Sequence, residues 1–201
     1  MRIPTDKQIR ALHEKHAPTG AVFDRVYSHC EIVCRIAEGL LARGAPGLAD
    51  LDADLVRAGG LLHDIGVYRL FDTTGRLTRT PYIRHGVLGH ELLAEEGLPP
   101  ELCRFCSCHT GMGLTRDDIR RRRLPIPPGD YVAESGEERL VMYADKFHSK
   151  SEPPAFVTAG AYTTAVRRFG EHKVAIFESL RERFGDPDLA PFAEEYGHAV
   201  M

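Results

Sequence analysis

The chain has 201 residues, with 26 Lys or Arg against 29 Asp or Glu, a formal charge of −3, 43% hydrophobic and 27% charged residues. That length suits one core-forming domain, the near-neutral balance excludes a general attraction to nucleic acid or an anionic membrane, and no apolar run approaches a bilayer span. The start, MRIPTDKQIR, carries no apolar signal segment, so a cytoplasmic protein is expected, and ten histidines stand out against five cysteines and no tryptophan.

Apolar periodicity is helical nearly throughout. Thr5 with Gln8 forms a capping-box pattern that opens a short helix through Leu12, ended by Pro18. Val22, Val26, His29, Val33, Ile36 and Leu40 then fall at alternating steps of four and three, a core-facing stripe with His29 in its middle, stopped by Gly44 and Pro46. A third helix runs from about Leu51 through Leu55 and Leu62 to His63 and Asp64, with Gly66 where a C-terminal cap belongs. Residues 67–81 break the pattern. Pro81 starts a helix covering Val87, Leu88, Leu92 and Leu93, and Gly97 ends it. Leu102, Cys106 and His109 share a face of the next helix, which stops at Gly111. Ser135 with Glu138 caps one holding Leu140, Val141, Ala144, Asp145 and Phe147, and two late helices, about 158–184 and 188–197, complete the chain. No strand alternates convincingly. The expected architecture is one all-α domain over residues 1–201, a helical bundle with its motif-bearing core at about 20–150 and C-terminal helices from 155 packed on it.

Five cysteines in a chain without an export signal argue for free thiols. Cys103, Cys106 and Cys108 beside His109 invite a zinc reading, but a structural zinc site wants a second knuckle, and Cys30 and Cys34 sit on a separate helical stripe. The histidines carry more. His29 and Asp145 lie on or beside core faces, where an imidazole or carboxylate is costly unless something binds it. A divalent metal is the economical partner, since side chains from several helices of a bundle can converge on one. His63 and Asp64 point about 100° apart on a helix and can flank a metal pair with the carboxylate bridging. His85 and His109 are placed to serve a second ion. The candidate set is His29, His63, Asp64, His85, His109 and Asp145.

The order His, His-Asp, His, His, Asp, with LLHDIG around the pair, resembles the HD superfamily of metal-dependent phosphohydrolases, in particular its small HDIG-type proteins. The likeness runs from about His29 to Lys150 and includes HGVLGHELL, CHTGMG and YADKFHSK, segments similar to those of bacterial and archaeal HDIG proteins, among them the branch that hydrolyses dinucleoside tetraphosphates. It implies the helical HD-domain fold, one ion on His29, His63, Asp64 and Asp145, and a second on Asp64, His85 and His109. It implies two divalent metals, iron or manganese, with magnesium, zinc, nickel and cobalt as alternatives. HTGMGLTRDD stands where the cyclic-di-GMP phosphodiesterase branch has a GYP segment, which argues against that substrate.

Two cations would acidify a water between them and offset charge growing on phosphoryl oxygens. Beside the ligands, Lys146 and Arg84 either hold a substrate phosphate or are solvated surface cations. His90 and His148 are either groups placed to protonate a leaving group or ordinary polar histidines. Arg116 and Arg120 to Arg123 read as a solvated face or an anion contact, and the stretch from Thr73 to Arg84 as a lid or a plain connection. The expected activity is hydrolysis of a small phosphorylated metabolite, a nucleotide or dinucleotide, with neither membrane nor nucleic acid as partner. A di-iron oxygenase acting on a small alcohol or phosphonate is the alternative, and a non-catalytic nucleotide sensor a third reading. Phe169, Phe177 and Leu180 on the late helix fit internal packing or a homodimer interface equally well.

Overall fold

In the computed structural model, which describes residues 2–44 and 48–201, the Thr5 hydroxyl accepts from the Gln8 backbone while the Gln8 side chain reaches back to the Thr5 backbone. That reciprocal cap starts helix α1, Asp6–His16. Helix α2, Gly20–Ala42, buries the whole stripe from Val22 to Leu40 with His29 inside it; Pro46, expected as its stop, lies outside the described residues. Asp52 caps α3, Ala53–Leu62. A 3-10 turn, Tyr82–Arg84, leads into α4, His85–Glu95, followed by α5, Pro100–Cys108. Capping boxes at Thr115 and Ser135 start α6, Arg116–Arg122, and α7, Gly136–Ala144. Helices α8, Ala159–Val166, α9, Glu171–Phe184, and α10, Ala190–Tyr196, follow.

The core lies where α2, α3, α4, α5 and α7 meet, filled by Ile32, Leu62, Phe105, Leu140 and Tyr143, each at most 1% exposed. Burying a side chain of this size contributes roughly 1.5–3 kcal/mol. Helix α9 adds Phe177 and Leu180 to the same core, so these two pack internally, while Phe169 is partly exposed under the guanidinium groups of Arg122 and Arg168. The arginine run is partly neutralised in place: Arg120 pairs with Asp117 and Arg121 with Asp118.

The all-α expectation holds, with four local corrections. The late helix expected over 158–184 is two helices, because a 3-10 turn, Arg167–Phe169, is followed by Gly170 at φ +113°, a conformation that ends the helix. Three two-residue strands are present: β1, His148–Ser149, pairs antiparallel with β2, Ala155–Phe156, which pairs parallel with β3, Ala199–Val200. They are too short to show alternation, and the first of them holds His148. The helix expected to run through His63 and Asp64 ends two residues earlier, at Leu62, with His63 as its cap. Gly66 is no cap; it lies inside a buried 3-10 helix, Ile65–Leu70, pressed against α4.

That contact makes Gly66 sensitive to one added carbon. A Cβ there would stand 2.1 Å from the His85 carbonyl oxygen and 2.2 Å from the Gly89 nitrogen, both backbone atoms that cannot rotate away. Gly66→Ala is expected to destabilise the protein by about 2 kcal/mol, within the range for overpacked cores, as read from the urea midpoint. An unchanged midpoint would contradict this packing.

His13 of α1 is fully buried, with Nε2 2.9 Å from the Leu61 carbonyl oxygen and Nδ1 2.9 Å from the Tyr68 hydroxyl. Burial pushes its pKa down from 6.5 to about 4. Below pH 6.5 the unfolded chain takes up a proton that the folded protein refuses until about pH 4, so stability falls as pH falls through that window. The loss from His13 reaches up to about 3 kcal/mol, at 1.36 kcal/mol per pH unit. Urea unfolding of the metal-stripped protein at pH 7 and 4.5 should show this slope, and His13→Gln should remove its share.

Candidate metal centre

The six candidate side chains converge. His29 comes from the middle of α2 and His85 from the first residue of α4, whereas His63, His109 and Asp145 cap the C-terminal ends of α3, α5 and α7, with Asp64 next after His63. Three helix C-termini, each the negative end of a helix dipole, therefore meet at the site, a field that favours a cation. Gly111 and Gly113, at φ +57° and +76°, turn the chain directly after His109.

The imidazole hydrogen bonds fix which nitrogen faces inward. Nδ1 lies 2.7 Å from the Gly60 carbonyl oxygen in His63, 2.7 Å from that of Tyr82 in His85, and 3.0 Å from that of Phe105 in His109. A carbonyl oxygen can only accept, so in each ring Nδ1 carries a proton and Nε2 is the nitrogen left to offer a lone pair to a cation. These lone pairs meet one another and two carboxylates. His85 Nε2 lies 3.0 Å from His109 Nε2, and His63 Nε2 lies 3.3 Å from His29 Nε2 and 3.4 Å from Asp145 Oδ1. His29 Nε2 is 3.1 Å from Asp145 Oδ1.

Asp64 stands between the two imidazole sets. Its Oδ2 faces His29 at 3.3 Å and His63 at 3.9 Å, while Oδ1 faces His85 at 3.7 Å and His109 at 3.6 Å. The last three separations exceed hydrogen-bond length, and Oδ1, fully buried, has no hydrogen-bond donor among the described residues. Neutral lone pairs and carboxylate oxygens gathered this closely repel, and cations resolve the repulsion. Two groups, His29 with His63 and Asp145, and His63 with Asp64 and His109, each bring ligand atoms within 4.8 Å of one another and can hold a metal ion; neither contains a cysteine. All five thiols are free and buried, and burial pushes that of Cys34 up to about 12.

Charge in the site follows from burial and neighbours. Burial keeps His29 at about 4 and His85 at about 3, so both are neutral near pH 7, as ligation requires. It also disfavours the charged carboxylates, but the Lys150 ammonium overrides it at Asp64 and the Lys146 ammonium at Asp145, holding both well below the usual carboxylate range.

Lys146 is buried, pairs with Asp145 and donates to the His109 carbonyl oxygen at 2.9 Å, so it is not a solvated surface cation. Lys150, to which the sequence reading assigned no role, contacts Asp64 directly and sits 5.7 Å from the centre of the Tyr82 ring. Both lysines line a cavity of about 580 Å³ that reaches His29 and Asp145. Arg84 does not line it; it is half-buried beside His85, its Nε buried without a hydrogen-bond partner among the described residues. Leu77 and Tyr82, both within the stretch from Thr73 to Arg84, do line the cavity, so that stretch forms part of its wall. His90 turns instead to Ser107, 3.1 Å away, and His148 Nδ1 lies 2.8 Å from Nδ1 of His29. His148 lies in strand β1, too short for periodicity to carry a signal.

Residues 26–150 match the HD domain family, and the chain belongs to it. It is 36% identical over 122 residues to an uncharacterized protein of Methanocaldococcus jannaschii, covering 61% of this chain and 65% of that one. It is 32% identical over 126 residues to a tRNA (cytidine(56)-2'-O)-methyltransferase of Picrophilus torridus, covering 63% of this chain and 32% of that protein, so it spans less than two-thirds of the length of either relative. Among solved structures it resembles the HD domain of the phosphodiesterase PgpH of L. monocytogenes, with a TM-score of 0.52 at 15% identity over 94% of this chain and 98% of that one. The same domain in complex with cyclic-di-AMP also gives 0.52, at 15% identity over 98% and 100%. At such identity the likeness describes the fold. No described helix is long and apolar enough to cross a membrane.

Proposed function

We propose that the protein is a metal-dependent phosphohydrolase that cleaves a phosphoester or phosphoanhydride bond in a small phosphorylated metabolite, a nucleotide or dinucleotide. The observation that carries this reading is Asp64, a buried carboxylate whose two oxygens face two different pairs of imidazole lone pairs. His29, His63, Asp64 and Asp145 would hold one ion, and Asp64, His85 and His109 a second, iron or manganese suiting the mixed imidazole and carboxylate set. Two divalent cations held there would acidify water to a nucleophile near neutral pH and offset charge developing on phosphorus-bound oxygens.

The chain's own groups do the rest. Lys146 is fixed by the His109 carbonyl and keeps Asp145 ionised. Lys150, on a flexible stem at the cavity wall, can exchange Asp64 for a substrate phosphate, the role the sequence suggested for Arg84. Phe71, Leu77, Tyr82 and Tyr162 line the same cavity and suit an apolar or aromatic body attached to that phosphate.

The test is phosphate release from a panel of nucleotides and dinucleotides by protein loaded with manganese or iron, with O₂ consumption by the iron form followed in parallel. Release from a panel member supports the proposal. O₂ consumption with a small alcohol or phosphonate, and no release, would replace it with the oxygenase reading. Binding without turnover would replace it with the sensor.

A further inference from the structure

His29 is unlike the other three imidazoles. His63, His85 and His109 each lean Nδ1 on a backbone carbonyl, which fixes the tautomer outright. His29 Nδ1 instead meets another imidazole nitrogen, Nδ1 of His148, at 2.8 Å, and an imidazole can donate or accept there. The ambiguity passes outward: His148 Nε2 lies 3.1 Å from Nδ1 of His198. The His148 and His198 rings stack, with centroids 5.2 Å apart and planes 19° apart.

The small sheet builds this stack. Strand β1 begins with His148, opposite Phe156 of β2, and β3 starts one residue after His198. Backbone bonds from Met201 to Phe156 and from Thr158 to Met201 clamp β3, and Gly197 at φ +67° turns the chain off α10 so that His198 faces His148. Three two-residue strands bury little, but they bring a residue of the C-terminal segment to within two rings of the candidate centre.

We propose that His148 and His198 are positioning residues for the metal centre, orienting His29 through a polarised chain of three imidazoles. The proposal rests on the metal reading above. For His29 Nε2 to offer its lone pair to a cation, its proton must sit on Nδ1 and be donated to His148 Nδ1. His148 must then carry its own proton on Nε2 and donate it to His198 Nδ1, leaving the His198 proton on Nε2. Each ring stays neutral and holds one proton, so charge and protons balance. Without an acceptor at His198 the arrangement of His148 is no longer fixed, and His29 loses its pre-set orientation.

His198 is half-buried near the surface and lines a smaller cavity of about 250 Å³ together with His29, His148 and Lys150, so it can be replaced without opening the core. The test uses zinc as a diamagnetic probe and the full chain. In zinc-loaded protein labelled with ¹⁵N-histidine, His29 is expected to carry its proton on Nδ1 and His148 on Nε2. His198→Ala is expected to weaken the binding of one zinc ion by about 10-fold or more in competition with a chelator, the range seen when a partner behind a ligand is lost. His198→Asn, whose side-chain oxygen takes the place of Nδ1 as acceptor, is expected to restore the parent affinity, a rescue that a general packing role would not give. Parent affinity in His198→Ala, or a proton on His148 Nδ1 in the zinc form, would overturn the proposal. Failure of the parent protein to bind zinc would overturn the metal reading beneath it as well.

Discussion

Asp64→Asn is expected to abolish turnover and weaken metal binding by more than about 10²-fold, beyond the 10- to 100-fold typical of groups that only support a ligand. The amide keeps the size of the carboxylate but removes its charge and gives one of the two facing positions an N–H₂ donor that cannot bind a cation. Asp64 Oδ1 receives no hydrogen bond among the described residues, and the Asn carbonyl oxygen can still accept from the half-buried Lys150 ammonium that pairs with Oδ2, so the fold loses the charge of that pair but not the contact. The variant should therefore keep its helical circular dichroism. The parent protein should gain about 2.7 kcal/mol of stability at a metal concentration 100 times its dissociation constant, and the variant should gain less than about 0.4 kcal/mol under the same conditions. Thermal unfolding with and without metal reads both effects, and a larger metal-dependent rise in the variant would show that Asp64 is not the shared ligand.

Lys150→Met separates metal binding from substrate binding by moving them in opposite directions. In the parent protein the ammonium occupies Asp64, so an arriving cation must displace a buried ion pair. Methionine retains most of the apolar stem and removes that competitor, and metal affinity is expected to rise. The same change removes a charge-assisted contact to the substrate phosphate, about 1.5–3 kcal/mol, so kcat/KM should fall by about 10- to 100-fold, chiefly through KM. Chelator competition and steady-state kinetics give the two numbers. If both fell, Lys150 would instead be holding the site together. If neither moved, it would be a bystander.

What the sequence disclosed divides along regular structure. The stripe containing His29 and the capping boxes at Thr5 and Ser135 were legible because helical periodicity and cap chemistry act over a few residues. The six candidate side chains could be named from their order, and the structure brings them together. That His63 and His109 lie near helix ends could be read from Gly66 and Gly111, but the meeting of three helix C-termini could not, because it depends on how the helices pack. Gly66 was misread for a related reason: a glycine that stops a helix and a glycine against which another helix packs are the same letter, and only the 2.1 Å approach to the His85 carbonyl separates them. The contact of Lys150 with Asp64 and that of His148 with His198 were beyond reach, since these residues lie in or beside strands of two residues and meet partners far along the chain, 50 positions in the case of the two histidines. Arg84 was chosen for its closeness to His85 in sequence, but the turn at 82–84 leaves it outside the cavity lining.

The most direct test of the dinuclear account is the metal content of the protein after anaerobic loading with manganese or iron and removal of free ion, compared with that of the double variant His85→Ala, His109→Ala. Two ions per parent chain and one per variant chain are expected, because the variant keeps His29, His63, Asp64 and Asp145. A parent that retains no ion, or one whose content is unchanged when both histidines are removed, would contradict it.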